Sequence, residues 1–220
     1  MTTTVSAMVM QQIEKAAEIV KGGGVVAFPT DTVYGLGANP FIKEAVDRIY
    51  EIKQRPRHMP LPVLLADESQ VAGIVASVPD IARLFMKRFW PGGLTIVLFK
   101  AASFPGSGAV KEDRVAIRIP NHEVTIALIR KAGVPIIGTS ANLSSRPSAL
   151  TAGEVADQLG DTVDLVVDRG RCPGGVESTV VDVTGQIPVI VRQGAVMESA
   201  INETFQKYMR EVAKRAYCSR

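Results

Sequence analysis

The stretch from Gly22 to Gly37 constrains this chain more than any other. Three glycines, Gly22 to Gly24, lead into the apolar run Val25–Phe28, which breaks at Pro29. A hydroxyl-bearing turn follows, with Thr30, Asp31, Thr32 and Tyr34, and Gly35 and Gly37 close it. A short apolar run between turn signals reads as a buried strand. Strand ends in open α/β sheets are where ligands bind. Glycines just beyond let the backbone take positive φ or pass close to a ligand. A strand with a decorated turn and no ligand explains the same residues.

Helical and strand patterns surround this stretch. Val9, Ile13, Ala16, Ala17 and Val20 follow helical spacing and predict a helix over 9–20, after a loose tail at 1–8. Further helices are expected at 43–52, 69–76, 80–89 (Asp80 as its cap), 122–131, 152–159 and 199–217. In the last of these, Ile201, Phe205, Met209, Val212 and Ala216 share a side. Strands are expected at 63–66, 94–99 (apolar enough to be central), 115–119, 135–138, 165–167, 178–183 and 189–191. Residues 101–113, with Pro105, Gly106 and Gly108, read as a mobile loop. Helices and strands mix without strict alternation, which predicts an α/β fold with a single twisted mixed β-sheet flanked by helices. Residues 1–220 read as one domain, with a core at about 10–197.

Composition removes several function classes. Cys172 and Cys218 form no C-x-x-C pair, and His58 and His122 stand alone, so neither a disulfide framework nor a thiolate or histidine-rich metal centre is expected. No run nears the length of a membrane span, and Met1–Met10 has no basic region followed by an apolar one. A soluble, cytoplasmic chain without membrane attachment is expected. The formal charge of +3 is mild, but basic residues cluster at 48–57 and 207–220. Walker A, G-x-S-x-G, H-E-x-x-H and a dinucleotide fingerprint are all absent from the sequence.

Three features carry chemistry. Lys53 and Arg55 lie two residues apart on what reads as extended backbone, in a surface loop punctuated by Pro56 and Pro60. They suit a polyphosphate, with arginine binding in bidentate fashion; a solvated loop is the plain alternative. Ser140 and Asn142 follow the Ile136–Ile137 strand and can hold a phosphate oxygen, a ribose or a metal-bound water, or simply form a cap or Asx-turn. Arg118 interrupts a strand pattern and lies either on a solvent face or in a cleft that holds an anion. Cations and hydroxyls at strand ends, without a nucleophile–base pair, suit nucleotidyl or phosphoryl transfer by positioning and charge.

Taken in order, Pro29–Gly37, Lys53-Gln54-Arg55-Pro56, Trp90-Pro91-Gly92 before Leu94-Thr95, Val115–Arg118, Ser140-Ala141-Asn142, Gly175–Thr179 and Arg192 resemble the threonylcarbamoyl-AMP synthase (YrdC-like) family. The resemblance spans residues 10 to 197 and implies a YrdC-like fold around a deep, positively charged cavity. The implied activity joins L-threonine, bicarbonate or CO2, and ATP into L-threonylcarbamoyl-AMP, releasing pyrophosphate. This is the first step of N6-threonylcarbamoyladenosine formation on tRNA. The resemblance places Lys53, Arg55, Ser140 and Asn142 as catalytic residues around ATP. It places Thr32, Arg118 and Ser178 on threonine, with Arg118 on the carboxylate. Met59, Arg114, Gly138, Ser148 and Arg192 would also touch ATP. Mg2+ and a downstream threonylcarbamoyl-transferase complex are implied as well. The chain resembles the short form of the family, without the extra C-terminal domain, and carries Leu64 where some long forms have a histidine near threonine. Two other readings stand beside this one. A non-catalytic module of the same fold would bind tRNA or double-stranded RNA. A carbamoyl-transfer domain of the hydrogenase-maturation type would occur beside acylphosphatase and zinc-finger segments.

Overall fold

The computed structural model describes residues 6–105 and 113–218, with side chains described as far as residue 215. Among the described residues, nine strands form one sheet: β1 (Val26–Phe28), β2 (Gly35–Ala38), β3 (Val63–Leu64), β4 (Leu94–Phe99), β5 (Arg114–Arg118), β6 (Ile136–Ser140), β7 (Leu165–Val166), β8 (Thr179–Asp182) and β9 (Val189–Arg192). Their spatial order is β7-β1-β2-β6-β3-β5-β4-β8-β9. The β1–β7, β3–β5 and β4–β8 pairs are parallel and the rest antiparallel, so the sheet is mixed as expected. The helices are α1 (Ala7–Lys21), α2 (Lys43–Lys53), α3 (Asp80–Phe89), α4 (Glu123–Ala132), α5 (Ala152–Leu159) and α6 (Glu198–Cys218). None of the described helices is long and apolar enough to cross a membrane.

Successive strand residues point to opposite faces, and the two faces are covered differently. On one face, Val63, Ile96, Val115, Ile117 and Val181 pack against α3 and the start of α6. On the same face Ala27, Leu36 and Ile137 pack against α2 and α5. On the other face, α1 and α4 cover Val26, Phe28, Leu64 and Ile136. Among the described residues, the alternate residues of β4, β5, β8 and β9 on that second face carry no helix, and this stretch of sheet is where the site forms.

Several expectations need correcting. Gly35 and Gly37 belong to β2 rather than to a turn. They are glycines because a Cβ at Gly35 would lie 2.9 Å from the Phe28 ring, and one at Gly37 would lie 2.6 Å from the Ile137 carbonyl. Residues 68–73 form a 3₁₀ segment where an α-helix was expected over 69–76. Pro79 takes the cap position of α3, and Asp80 is its first helical residue, where its carboxylate faces the helix dipole. The tail expected at 1–8 gives way to α1, which begins at Ala7 behind Ser6, whose hydroxyl accepts from the Val9 N–H. In α6, Ile201 is buried and Phe205 partly so, but Met209 and Val212 are exposed. The apolar stripe therefore runs past the surface it packs on. Of the loop expected to be mobile, 106–112 lie outside the described residues, whereas Phe104 is buried against Phe41, with ring centroids 5.6 Å apart.

Candidate active site

The uncovered face of the sheet forms the floor of a cavity of about 470 Å³. Its floor follows the strand period: Thr95 and Val97 from β4, Ala116 and Arg118 from β5, Gly138 and Ser140 from β6, Val180 from β8 and Leu64 from β3. Its walls are the 30–34 turn with the start of β2, the 55–60 loop and the 177–178 and 191–192 segments.

Arg118 lies on an interior strand and is 5% exposed, which settles its direction: it points into the cleft. Its Nε donates to the Gly92 carbonyl at 2.9 Å, Nη1 to Thr32 Oγ1 at 3.1 Å and Nη2 to Asp31 Oδ1 at 2.6 Å. Asp31 also accepts the Asn121 N–H at 3.0 Å. Burial draws the Arg118 pKa down, with Asp31 opposing it. Three of five guanidinium protons are used, and the others remain for an anion. Thr30 braces the turn by donating to the Val33 carbonyl at 2.7 Å and accepting the Thr32 N–H at 3.1 Å. Thr95 and Ser178 share a hydroxyl hydrogen bond of 2.8 Å close by.

Leu64 pairs with both Arg118 and Ile136. Ser140 lies four residues beyond Ile136 on β6, so it sits roughly 13 Å from Arg118 along the strands and two strand spacings across. Arg55 belongs to the Ser140 end. Its Nε donates to the Met59 carbonyl at 3.3 Å and its Nη2 to the Pro60 carbonyl at 3.2 Å, which leaves the remaining protons to the cavity. Arg192 bridges the ends, since its charge bears on both Arg55 and Arg118. It pairs with Glu177 and donates through Nη2 to the Ser178 carbonyl at 2.8 Å and to Ser178 Oγ at 3.1 Å. Burial works to raise the Glu177 pKa, but Arg192, hydrogen bonds from the Ser140 and Ser148 hydroxyls, and Lys53 outweigh it and hold the carboxylate below its usual range.

The structure thus brings Thr32, Arg55, Met59, Arg118, Gly138, Ser140, Ser178 and Arg192 to one cavity. Four other residues expected there are not on its wall. Lys53 is not on extended backbone: it is the last residue of α2, followed by Gln54 in the left-handed conformation (φ 49°), and it is 1% exposed. Asn142 is buried behind Ser140 and occupied with Lys53, Leu143 and Arg146. Ser148 sits behind Glu177 and donates to it at 2.9 Å. Arg114 shares the face of Arg118 but lies four residues upstream on β5, bound to Asp182 at 2.5 Å beside the Phe99 ring. Glu177, Thr95 and Thr139 line the cavity without having been singled out, and so does Thr30, noted before only as part of the hydroxyl-bearing turn. Period-two alternation from Arg118 and Ser178 is the signal that finds Ala116, Val180 and, through pairing, Thr95.

Fold and site together define an α/β protein with a polar cavity, walled by Arg55, Arg118 and Arg192, on the uncovered face of a mixed sheet. Residues 18–194 match the Sua5/YciO/YrdC family model, described as telomere recombination. The chain is 44% identical over 191 residues to threonylcarbamoyl-AMP synthase of Bacillus subtilis, covering 86% of this chain and 55% of that one. It is 39% identical to a putative threonylcarbamoyl-AMP synthase of Mycobacterium tuberculosis, covering 87% and 88%. The crystal structure of Pyrococcus abyssi Sua5 complexed with L-threonine superposes with a TM-score of 0.84 at 41% identity, covering 87% of this chain and 56% of that one. The chain belongs to the Sua5/YciO/YrdC family. It spans about half the length of the Bacillus and Pyrococcus relatives.

Proposed function

We propose that the chain forms L-threonylcarbamoyl-AMP and pyrophosphate from L-threonine, bicarbonate or CO2, and ATP, in the cytoplasm. The observation that carries this reading is a single cavity with Arg118 and its hydroxyls at one end and Arg55 with Ser140 at the other. That spacing accommodates an amino acid and a nucleotide end to end. Pyrococcus Sua5, complexed with L-threonine, supports the amino-acid assignment. Arg118 takes the threonine carboxylate, flanked by Thr32 and Ser178. Arg55, Ser140, Gly138, Met59 and Arg192 take ATP.

The threonine amine captures CO2, losing a proton, to give a carbamate. A carbamate oxygen then attacks the α-phosphate in line, a P–O bond forms, and pyrophosphate leaves. Two anions must approach each other, and Arg55 and Arg192 offset their repulsion where charge builds up. Among the described residues, no group of three His, Cys, Asp or Glu side chains is placed to hold a metal ion. Mg2+ then fits as part of the Mg–ATP substrate, held by its phosphates. The product passes to a transferase that places it on tRNA. Direct RNA contact has one observation in its favour: Lys207, Arg210 and Lys214 of α6 are exposed, and none is in an ion pair among the described residues.

The test is pyrophosphate release from Mg–ATP with each co-substrate omitted in turn. Release that requires both L-threonine and bicarbonate is expected. ATP binding without turnover under every condition, together with tRNA binding, would replace this reading with the RNA-binding one.

A further inference from the structure

Lys53 is buried, charged and adjacent in sequence to the cavity wall, yet it does not line the cavity. Its ammonium faces protein oxygens. It donates to the Ser140 carbonyl, to the Asn142 carbonyl at 2.7 Å and to Asn142 Oδ1 at 3.3 Å. Three donors meet three acceptors, so the group is saturated where it stands. The backbone of the same residue grips the same loop, because the Ser144 N–H donates to the Lys53 carbonyl at 3.0 Å. Asn142 extends the grip by donating to the Leu143 carbonyl at 2.9 Å and the Arg146 carbonyl at 2.6 Å. On the other side of Lys53, the left-handed Gln54 turns the chain so that Arg55 emerges at the cavity.

We infer that Lys53 is a positioning residue: it pins the 140–146 loop to the end of α2 and so fixes Ser140 and Arg55 relative to each other, without touching the nucleotide. The inference deepens the proposed synthase reading and rests on it for what the two residues bind. Its physical content is that a buried ammonium with three oxygen partners holds two chain segments at a defined separation. Removing it frees both walls of the nucleotide end at once, while the Arg118 end keeps its own braces at Asp31, Thr32 and Gly92.

The test compares the wild-type chain with Lys53→Met, which keeps the aliphatic volume and deletes the donors. Four readouts are taken: amide hydrogen exchange over 140–146, kcat/KM for ATP, affinity for a non-hydrolysable ATP analogue, and affinity for L-threonine. Faster exchange at 140–146 is expected, with a loss on the order of 10²-fold in kcat/KM for ATP. Threonine affinity should stay within twofold. Asn142→Ala should give a smaller version of both changes, and the double variant should be no worse than Lys53→Met alone, because the two residues share one linkage. If Lys53→Met does not fold, Asn142→Ala carries the same expectation by itself. Unchanged exchange at 140–146 with lost ATP affinity would mean that Lys53 touches the nucleotide, and would overturn the inference. So would losses that add in the double variant. Exchange reads the loop without any turnover, so a wild-type chain that releases no pyrophosphate would sink the synthase reading and still leave the linkage decided.

Discussion

Replacing Arg118 with Met, alone and together with Asp31→Asn, separates what this residue does for the fold from what it does for the substrate. The guanidinium is buried and donates to Asp31 at 2.6 Å, to Thr32 at 3.1 Å and to the Gly92 carbonyl at 2.9 Å. Removing one partner of a buried pair strands the other charge, which costs about 3–5 kcal/mol. In a domain of this size that lowers Tm on the order of 10 °C. Asp31 keeps only the Asn121 N–H among its described hydrogen bonds, too little to replace a guanidinium. Neutralising it in Asp31→Asn/Arg118→Met removes the stranded charge, and the double variant is expected to regain more than half of the lost stability. It should regain no threonine binding, since Arg118, the proposed carboxylate donor, is gone. Urea unfolding of the wild type, both single variants and the double variant supplies a thermodynamic cycle, and calorimetric titration with L-threonine supplies the binding. A loss below about 1 kcal/mol for Arg118→Met would place the group in a solvated setting and refute the buried-pair argument. A double variant less stable than Arg118→Met would do the same.

Three further outcomes are expected. Arg55→Ala should weaken ATP by about ten- to a hundredfold, the worth of charged hydrogen bonds, and leave threonine unchanged; equal losses for both would contradict its place at the nucleotide end. Burial, and then the Arg55 charge, bring the Lys53 pKa down from 10.5 to about 8. The folded state therefore binds fewer protons than the unfolded one between those values, and stability from this group rises with pH across that window. Relative to Lys53→Met, the wild type should gain on the order of 1–2 kcal/mol between pH 8 and 9.5, and a flat difference would argue against the lowered pKa. Gly37→Ala should cost about 1–3 kcal/mol by urea unfolding, because its methyl would press on the Ile137 carbonyl and the Phe28 ring; a neutral result would show that β2 and β6 can part freely.

The fold was legible where one physical signal dominated. Helices with clean apolar periodicity, such as α1 and α5, and strands such as β4 emerged within a residue or two of expectation. β2 did not, because Gly35-Leu36-Gly37-Ala38 carries the composition of a turn. Only Phe28 lying across the glycines makes the strand comprehensible, and that contact is tertiary. The site was half legible. Arg55, Arg118 and Ser140 announced themselves as polar groups at strand or helix ends. Lys53 carries the same signature and faces away, and the left-handed Gln54 that separates it from Arg55 has no mark in the sequence. Glu177 lies within the Gly175–Thr179 motif without being given a role of its own, although it opposes Arg192 inside the cavity.

β3 holds only Val63 and Leu64, and it is the single strand between β5 and β6. The strands that bring Arg118 and Arg192 therefore connect to the one that brings Gly138 and Ser140 through the short stretch 62–65, where Val63 and Leu64 pair on both sides and the Leu65 N–H and Pro62 carbonyl add one bond each. In mechanical terms the sheet is two plates with a narrow joint, and the cavity lies across it. Under the proposed reaction, an amino acid held by Arg118 and a nucleotide held at Ser140 would lie on opposite sides of that joint, and the product that bonds them would span it.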